Sequence, residues 1–232
     1  MHIPALLQFL HDLSENNNRP WFVHNKPAYD ILREEFLEVI VALIPKMAKF
    51  DPTIEHISPK KAIFRVNRDI RFSHNKDPYK TNFACSISNN AKKGTGAGYY
   101  FQINKYGTLF IGGGYYLPEP AHLKLIRSYV VAHPDKLKKL LNHKAFKARF
   151  GDMDDEDGLS RPPKGYTDLP ADFPFMETIK QRHFVSFLEI QLDKKTALEP
   201  AQLAAEIGEI LKDVYPLVAW LREALVSDIK LA

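Results

Sequence analysis

Residues 99–111 read Y-Y-F-Q-I-N-K-Y-G-T-L-F-I, and this stretch sets the fold class. Two runs rich in aromatic and branched residues, 99–103 and 108–111, flank Asn104-Lys105-Tyr106-Gly107. Asn and Gly tolerate the backbone conformations that tight turns need, so the segment predicts a β-hairpin. Because the strands of a hairpin run antiparallel, the sheet is expected to be largely antiparallel.

Further strands are expected on both sides of the hairpin. Over residues 64–72 apolar and polar residues alternate, which predicts a half-buried strand. Apolar residues in 83–87 and 183–192 predict two more. With the two hairpin strands, the sequence predicts a sheet of about five strands.

Helical spacing precedes and follows these strands. It is present before residue 14, from Pro27 to Met47, from 123 to 141 and from 200 to 226, with Asn18-Arg19-Pro20 as a helix start. We therefore expect an α+β fold, with N-terminal and C-terminal helices packed against the sheet. No shift in composition divides the chain, so residues 1–232 are expected to form a single domain.

The composition is that of an ordinary globular protein. The chain has 232 residues, of which 45% are hydrophobic and 26% charged, so disorder throughout the chain is excluded. A single cysteine excludes an intramolecular disulfide and fits a reducing compartment. No signal-peptide pattern and no long apolar run occurs. A soluble cytoplasmic protein without a membrane partner is expected.

Basic charge is concentrated in one segment. Residues 61–80 hold six Lys or Arg residues and two Asp residues, which accounts for the whole net charge of +4. The remainder of the chain is balanced, which counts against a general nucleic-acid-binding surface.

The predicted strand over 64–72 would place Arg65, Asp69 and Arg71 on its polar face. Arg65 and Arg71 would then lie about 20 Å apart, a spacing that suits two separate anions or one extended polyanion. Arg68 would fall on the apolar face. A buried guanidinium is costly, so Arg68 is expected at the sheet edge or paired with a carboxylate from elsewhere in the fold.

The residues after this strand predict a turn that carries more cations. Asp77-Pro78 favours a type I turn, which would bring Lys76 and Lys80 back towards Arg71. With the hydroxyl of Tyr79, these groups suit a phosphate or a carboxylate. The alternative is that the cations pair with acidic residues on the helices and only stabilise the sheet. Both interpretations stay open.

The order of these residues resembles a known motif. The stretch Arg65-x-x-Arg68-Asp69-x-Arg71-Phe72-Ser73-x-x-Lys76-x-Pro78-Tyr79-Lys80-Thr81-Asn82 is similar to the motif of the domain of unknown function 2461 family. The likeness extends over most of the chain, and the sequence departs from the family pattern at His74-Asn75. The resemblance implies a single bacterial-type domain and carries no established activity.

A later loop carries two more cations. Arg161 and Lys164 lie in Arg161-Pro162-Pro163-Lys164-Gly165-Tyr166, which proline stiffens. This loop either closes over an anion at Arg71 and Lys80 or presents its cations to water, and both interpretations stay open. Gly112-Gly113-Gly114 likewise either allows close approach of a ligand or serves tight packing.

Metal and nucleotide motifs fit poorly. Aligning Gly158 with the EF-hand glycine places Met153 and Lys164 at ligand positions, so the acidic run 152–158 predicts no calcium site. The histidines lack zinc-site spacing, and no metal is expected. Residues 92–98 match neither common phosphate-loop pattern and are expected to form a hairpin loop.

The sequence thus predicts an anion-binding site for a phosphorylated or carboxylated small molecule, with no reaction or cofactor specified. The candidate residues are Arg65, Arg68, Asp69, Arg71, Lys76, Tyr79, Lys80, Arg161 and Lys164. Two alternatives are a nucleic-acid-binding module and a non-catalytic structural or interaction domain with internal ion pairs.

Overall fold

The computed structural model describes residues 1–89, 96–154, 157–170, 172–193, 195 and 197–227. Four antiparallel strands form one sheet in chain order. They are β1 (Asn82–Ser88), β2 (Gly98–Asn104), β3 (Thr108–Tyr115) and β4 (Phe184–Gln191). The fold class is therefore α+β, as predicted, with one strand fewer than the sequence indicated.

The hairpin predicted at 104–107 is confirmed. The side-chain oxygen of Asn104 accepts from the backbone N–H groups of Tyr106 and Thr108, at 2.9 and 3.1 Å. Gly107 has a positive φ of 79° and donates to the Asn104 carbonyl at 3.0 Å. Each of these contacts joins residues within four positions, so the local sequence is enough to specify the turn.

Eight α-helices accompany the sheet among the described residues. They are α1 (Ile3–Glu15), α2 (Arg19–Met47), α3 (Pro59–Ala62), α4 (Pro120–Ala132), α5 (Pro134–Leu141), α6 (Lys144–Phe150), α7 (Met176–Lys180) and α8 (Pro200–Val226). A short 3-10 helix spans Pro52–Ile54. No described helix has both the length and the apolar character required to cross a bilayer.

Helix α2 begins where the sequence predicts a helix start. The Asn18 side chain accepts from the Trp21 backbone N–H at 3.1 Å, and Pro20 lies in the first turn, where it removes no helical hydrogen bond. The helix then continues through Pro27, where the sequence pattern suggested a new start. Burial of Tyr29, Phe36 and the residues beyond them stabilises the continuous helix against this break.

Helices α2 and α8 cover one face of the sheet. Cys85, Phe101 and Ile111 lie side by side on neighbouring strands and are buried under these helices. The Phe36 ring of α2 packs against the Phe101 ring, with centroids 5.5 Å apart. On β3, Gly113 lies directly beneath α8. The main core is therefore on this face, and no helix pair among the described residues covers the opposite face in this way.

The strand predicted over 64–72 is wrong. The segment and the residue before it form two isolated β-bridges and no continuous strand. One bridge joins Ile63 to Cys85, and the other joins Asn67 to Tyr79. Beyond residue 66 its backbone bonds to residues 78–80 and not to β1, because Arg68 N–H donates to the Pro78 carbonyl at 2.9 Å. The segment therefore closes on itself as a loop at the β1 edge, which gives four strands instead of five.

Candidate functional site

Residues 65–80, called here the basic loop, begin and end beside the edge strand β1. The Phe64 N–H donates to the Ala84 carbonyl of β1 at 3.0 Å. The Lys80 N–H returns to the Val66 carbonyl at 2.8 Å. The basic side chains are therefore held in a closed loop, and their spacing no longer follows that of a strand.

Arg68 binds its own loop. Its Nη1 donates to the Asp77 carbonyl at 3.0 Å and its Nη2 to the Ser73 hydroxyl at 3.3 Å. The sequence had led us to expect the sheet edge or a carboxylate partner from elsewhere in the fold. Because the segment leaves the sheet, the nearest acceptors are loop oxygens. Arg68 thus holds together the two arms of the basic loop.

Arg71 forms a forked salt bridge with Asp69. Arg71 Nε and Nη2 donate to the two Asp69 oxygens at 3.0 and 2.7 Å. These bonds lower the pKa of Asp69 to about 2 and raise that of Arg71. The pair is exposed to water, so it contributes little to stability. Lys76 Nζ donates to the Ile70 carbonyl at 3.1 Å, so both cations are engaged within the loop.

Tyr79 faces the helices. Its ring is buried and stacks on Phe22 of α2, with centroids 4.1 Å apart. Its backbone N–H and carbonyl both bond to the Asn17 side chain, each at 3.0 Å. Among the described residues, no hydrogen bond joins the Tyr79 hydroxyl to the loop cations. The structure therefore gives Tyr79 the role of anchoring the basic loop to α2.

Lys80 and Arg65 form the second group of cations in this loop. Lys80 is half-buried, and its Nζ lies 5.0 Å from the centroid of the Phe64 ring. Burial, and secondarily the charge of Arg65, lower the pKa of Lys80. In the part of the chain that the structure describes, neither cation forms a salt bridge. The two positive groups therefore lie close enough to repel each other, and Arg65 is also attracted by the charge of Asp69.

Arg161 and Lys164 lie elsewhere. Their loop is fixed by Tyr166, whose hydroxyl lies 2.9 Å from the Ser128 hydroxyl of α4. Leu159 N–H also donates to the Lys180 carbonyl of α7 at 2.9 Å. Both cations are exposed, and no hydrogen bond or ion pair between described residues joins them to the basic loop. The structure thus does not bring the two groups of cations into contact.

A cavity of about 540 Å³ lies on the sheet face away from α2 and α8. Ser86, Tyr100, Gly112 and Phe187 are consecutive cross-strand partners on this face. The lining residues are Phe64, Ser86, Ser88, Gly96, Gly98, Tyr99, Tyr100, Phe110, Gly113, Gly114, Tyr116, Asp154, Val185 and Phe187. The volume is that of a typical small-molecule site.

Aromatic rings form the walls of this cavity. Phe110 and Phe187 stack with centroids 4.5 Å apart, and the Tyr100 ring lies 6.2 Å from each of them. Phe64 packs on Tyr100 at 6.1 Å. The sequence contained a signal that we missed: Tyr100 and Phe110 occupy the positions where a strand with one face in water would carry polar residues.

The contacts around the glycine run of β3 agree with the tight-packing interpretation. A Cβ on Gly113 would lie 3.0 Å from Val214 and 3.2 Å from Val218 of α8, so its absence permits close packing. Gly114 has a φ of 130°, and a Cβ there would lie 2.1 Å from the Phe184 carbonyl of β4. Gly114 also lies among the lining residues of the cavity.

The cavity offers hydroxyl groups and one carboxylate. Ser86, Ser88 and Tyr116 lie among its lining residues together with Asp154. The Tyr100 hydroxyl donates to Gln102 Oε1 at 2.8 Å, and burial raises the pKa of Tyr100 to about 12. Tyr100 is therefore protonated at neutral pH and acts as a hydrogen-bond donor. The described lining residues include no histidine or cysteine.

In the described part of the chain, no group of three or more His, Cys, Asp or Glu residues is placed to hold a metal ion. Residues 155 and 156 of the acidic run lie outside the described residues. So do residues 92–95 of the glycine-rich stretch, for which a hairpin loop was expected.

Comparison with known proteins gives a family and no closer relative. No curated protein and no solved structure matches the chain. A family model described as conserved hypothetical protein (DUF2461) matches residues 5–220. That match includes all four strands, the basic loop and the cavity. The chain therefore belongs to the DUF2461 family of conserved hypothetical proteins.

Proposed function

We propose that the protein binds a small molecule with one anionic group, a phosphate or a carboxylate, and an apolar or aromatic body. The apolar or aromatic part of the ligand occupies the cavity, on the sheet face away from α2 and α8. Lys80 and Arg65 bind the anionic group at the β1 edge of that cavity. The proposal concerns binding and assigns no reaction.

The main support for this proposal is the position of Lys80 relative to Phe64. The Phe64 ring is a wall of the cavity, and the Lys80 ammonium lies 5.0 Å from the centroid of that ring. A ligand lying against Phe64 would therefore have a cation near one end. A half-buried ammonium beside a second cation gains from an anion, because the anion offsets both the desolvation and the repulsion from Arg65.

The other candidate residues receive different roles. Arg68 and Tyr79 support the basic loop through the contacts described above. Asp69 engages the guanidinium of Arg71, and the Ile70 carbonyl engages Lys76. These exposed groups already bind partners within the loop, so we place the anion on Lys80 and Arg65.

Arg161 and Lys164 belong to a loop anchored on α4 and α7. The structure gives no contact between this loop and Arg65 or Lys80 among the described residues. We therefore leave Arg161 and Lys164 out of the proposed anion pair.

The test compares phenyl phosphate and benzoate with inorganic phosphate and phenol in a thermal-shift experiment. Phenyl phosphate and benzoate are expected to raise the melting temperature more than inorganic phosphate or phenol does. The reason is that the aromatic anions both fill the cavity and reach Lys80. Nucleotides and sugar phosphates extend the series to natural classes of ligand.

Lys80→Met is the decisive variant, and Lys76→Met is its matched control in the same loop. The first is expected to weaken binding of the aromatic anions about tenfold or more, the usual effect of losing a charge-assisted hydrogen bond. The second is expected to leave binding unchanged. An equal effect of both variants, or no response to any of these ligands, would show that the proposal is wrong.

Nucleic-acid binding is a second candidate, and one observation favours it. Phe72 is 94% exposed at the tip of the basic loop, and the Arg71 guanidinium lies 5.8 Å from its ring centroid. An exposed aromatic ring next to a cation is a surface on which a base can stack. Binding of single-stranded DNA and RNA, measured from low to high salt, tests this function, and an interaction without salt dependence counts against it.

A further inference from the structure

The link between β3 and α4 contains a bulky residue with a left-handed backbone. Leu117 has a φ of 47°, whereas the other described residues with positive φ are glycines. A side chain makes this conformation unfavourable, and Gly or Asn is usual there. Leu117 also precedes Pro118, and a proline normally holds the residue before it in an extended conformation. Leu117 therefore departs from two backbone preferences at once.

Packing of the Leu117 side chain does not explain this strain. The side chain is 60% exposed, so its burial does not offset the unfavourable backbone. Immediately before the strained residue the chain leaves the sheet, because Tyr115 is buried and pairs with Phe184 of β4 while Tyr116 lies beyond the end of β3. Strained backbone of this kind is concentrated at functional sites, where the surrounding structure maintains it.

Tyr116, next to the strained residue, lies at the mouth of the cavity. It is one of the lining residues and is 60% exposed, so it borders both the cavity and the solvent. Its ring contacts the buried ring of His183, with centroids 5.5 Å apart. In the described part of the chain, no hydrogen bond joins its hydroxyl to another group. These contacts leave much of the Tyr116 ring open to a ligand.

Tyr116 differs from the other aromatic residues of the cavity. Phe110 and Phe187 stack on each other, and the Tyr100 ring lies against both of them, so these rings hold one another on the sheet. Tyr116 comes from the link after β3 and adds an aromatic ring on the solvent side. Aromatic pairs attract each other beyond the effect of the area that they bury. A flat aromatic ligand therefore gains more from Tyr116 than a saturated ring of similar size does.

We infer that Tyr116 is a specificity-determining residue of the cavity, which selects ligands with a flat aromatic part, and that Leu117 is a positioning residue that holds Tyr116 at the mouth. The inference rests on the proposed function in one respect, since it takes the cavity to be the ligand site. It does not involve Lys80 or Arg65, so an uncharged ligand can test it.

The test measures the affinity of the protein for naphthol and for its fully saturated counterpart, decahydronaphthol, both of which are uncharged at neutral pH. Naphthol is expected to bind the native protein more tightly. Tyr116→Leu is expected to weaken naphthol binding about three- to tenfold, the effect of losing one aromatic pair, and to change decahydronaphthol binding less than about twofold. Tyr106→Leu is the matched control, because Tyr106 is 64% exposed and is not among the lining residues. It is expected to leave both affinities unchanged.

Two substitutions that differ in backbone preference test Leu117. Leu117→Asn keeps the left-handed conformation accessible and is expected to retain naphthol affinity. Leu117→Ile introduces a β-branched side chain that strongly disfavours this conformation, so it is expected to weaken naphthol binding as much as Tyr116→Leu does. A purely structural role of Leu117 would instead lower the melting temperature of Leu117→Ile without changing its naphthol affinity.

Unchanged naphthol affinity in Tyr116→Leu, or an equal loss in Tyr106→Leu, would overturn the role of Tyr116. Unchanged affinity in folded Leu117→Ile, or a loss of affinity in Leu117→Asn, would overturn the role of Leu117, and the Asn variant keeps this test available if the Ile variant does not fold. If phenyl phosphate fails to bind while naphthol binding depends on Tyr116, the proposed anion pair is wrong and this inference holds. If phenyl phosphate binds and naphthol does not, this inference is wrong.

Discussion

Arg222 Nη1 donates to both carboxylate oxygens of Asp51, at 3.0 and 2.8 Å, and so joins residues 171 positions apart. Asp51 follows α2 and is 0% exposed, while Arg222 lies near the end of α8. The hydroxyls of Tyr99 and Thr53 also donate to this carboxylate, at 2.8 and 2.6 Å. One buried carboxylate thus connects the two long helices and β2.

Asp51→Asn is expected to destabilise the protein strongly. The substitution keeps the size of the side chain but leaves the Arg222 guanidinium without a counter-charge. Removing one partner of a buried ion pair costs about 3–5 kcal/mol of unfolding free energy, which urea denaturation measures.

The matched control is Asp30→Asn. Asp30 pairs with Lys26 one turn away on α2, and both side chains are about half exposed. This substitution is expected to cost less than about 1 kcal/mol. If the two variants lost similar stability, the Asp51 network would not have the importance given to it here.

The contact between β3 and α8 depends on the missing side chain of Gly113. In Gly113→Ala the new Cβ would lie 2.9 Å from the Gly98 carbonyl and 3.0 Å from a Val214 methyl. We expect a loss of about 1–3 kcal/mol, because packed backbone and methyl groups must move. Thermal or urea unfolding of the purified variant measures it.

Gly208→Ala on α8 is the control for that substitution. There the new Cβ meets only Leu43 and Lys46 of α2, at 3.6 and 3.9 Å, which are ordinary contact distances. Alanine also favours the helix over glycine, so a gain of about 0.5–1 kcal/mol is expected. A gain at Gly113 as well would contradict the close packing of β3 against α8.

The pH dependence of anion binding is expected to follow Lys80. Its ammonium binds the anion when protonated, so at pH values where phenyl phosphate is fully ionised, binding is complete below the pKa of Lys80 and is lost as the pH rises through it. Burial and Arg65 lower that pKa from 10.5, so the loss should begin at a lower pH than for an ordinary lysine. Titration of phenyl phosphate affinity between pH 8 and about 10.5 measures it.

Lys80→Arg is the control for the titration, because a guanidinium stays charged over this range. Its affinity for phenyl phosphate is expected to be independent of pH there. If the native protein and Lys80→Arg lost affinity in parallel, another group would be responsible.

Phe72→Ala distinguishes the basic loop from the strand that its sequence suggested. Phe72 is 94% exposed, so its truncation is expected to change the free energy of unfolding by less than about 0.5 kcal/mol. The same change at Phe83, buried against Tyr29 and Phe36, should cost about 3–5 kcal/mol. A large loss at Phe72 would mean that this ring is buried after all.

The predictions made from the sequence were most accurate where the structure depends on residues close together in the chain. The Asn104–Gly107 turn and the Asn18 cap were found because each is held by bonds that span four residues or fewer. The alternation over 64–72 was misleading, since a period of two does not specify which backbone groups will pair. There the pairing of Asn67 with Tyr79 replaced pairing with β1.

The candidate site shows the same division. The sequence by itself determined the α+β class, the hairpin and the segment in which the cations are concentrated, because composition and local spacing are sufficient for these. Only the tertiary structure decided that Tyr79 stacks on Phe22, that the Lys80 ammonium lies beside the Phe64 ring of the cavity wall and that Asp51 pairs with Arg222. Contacts between distant segments fix these positions, and no local pattern encodes which distant groups will meet.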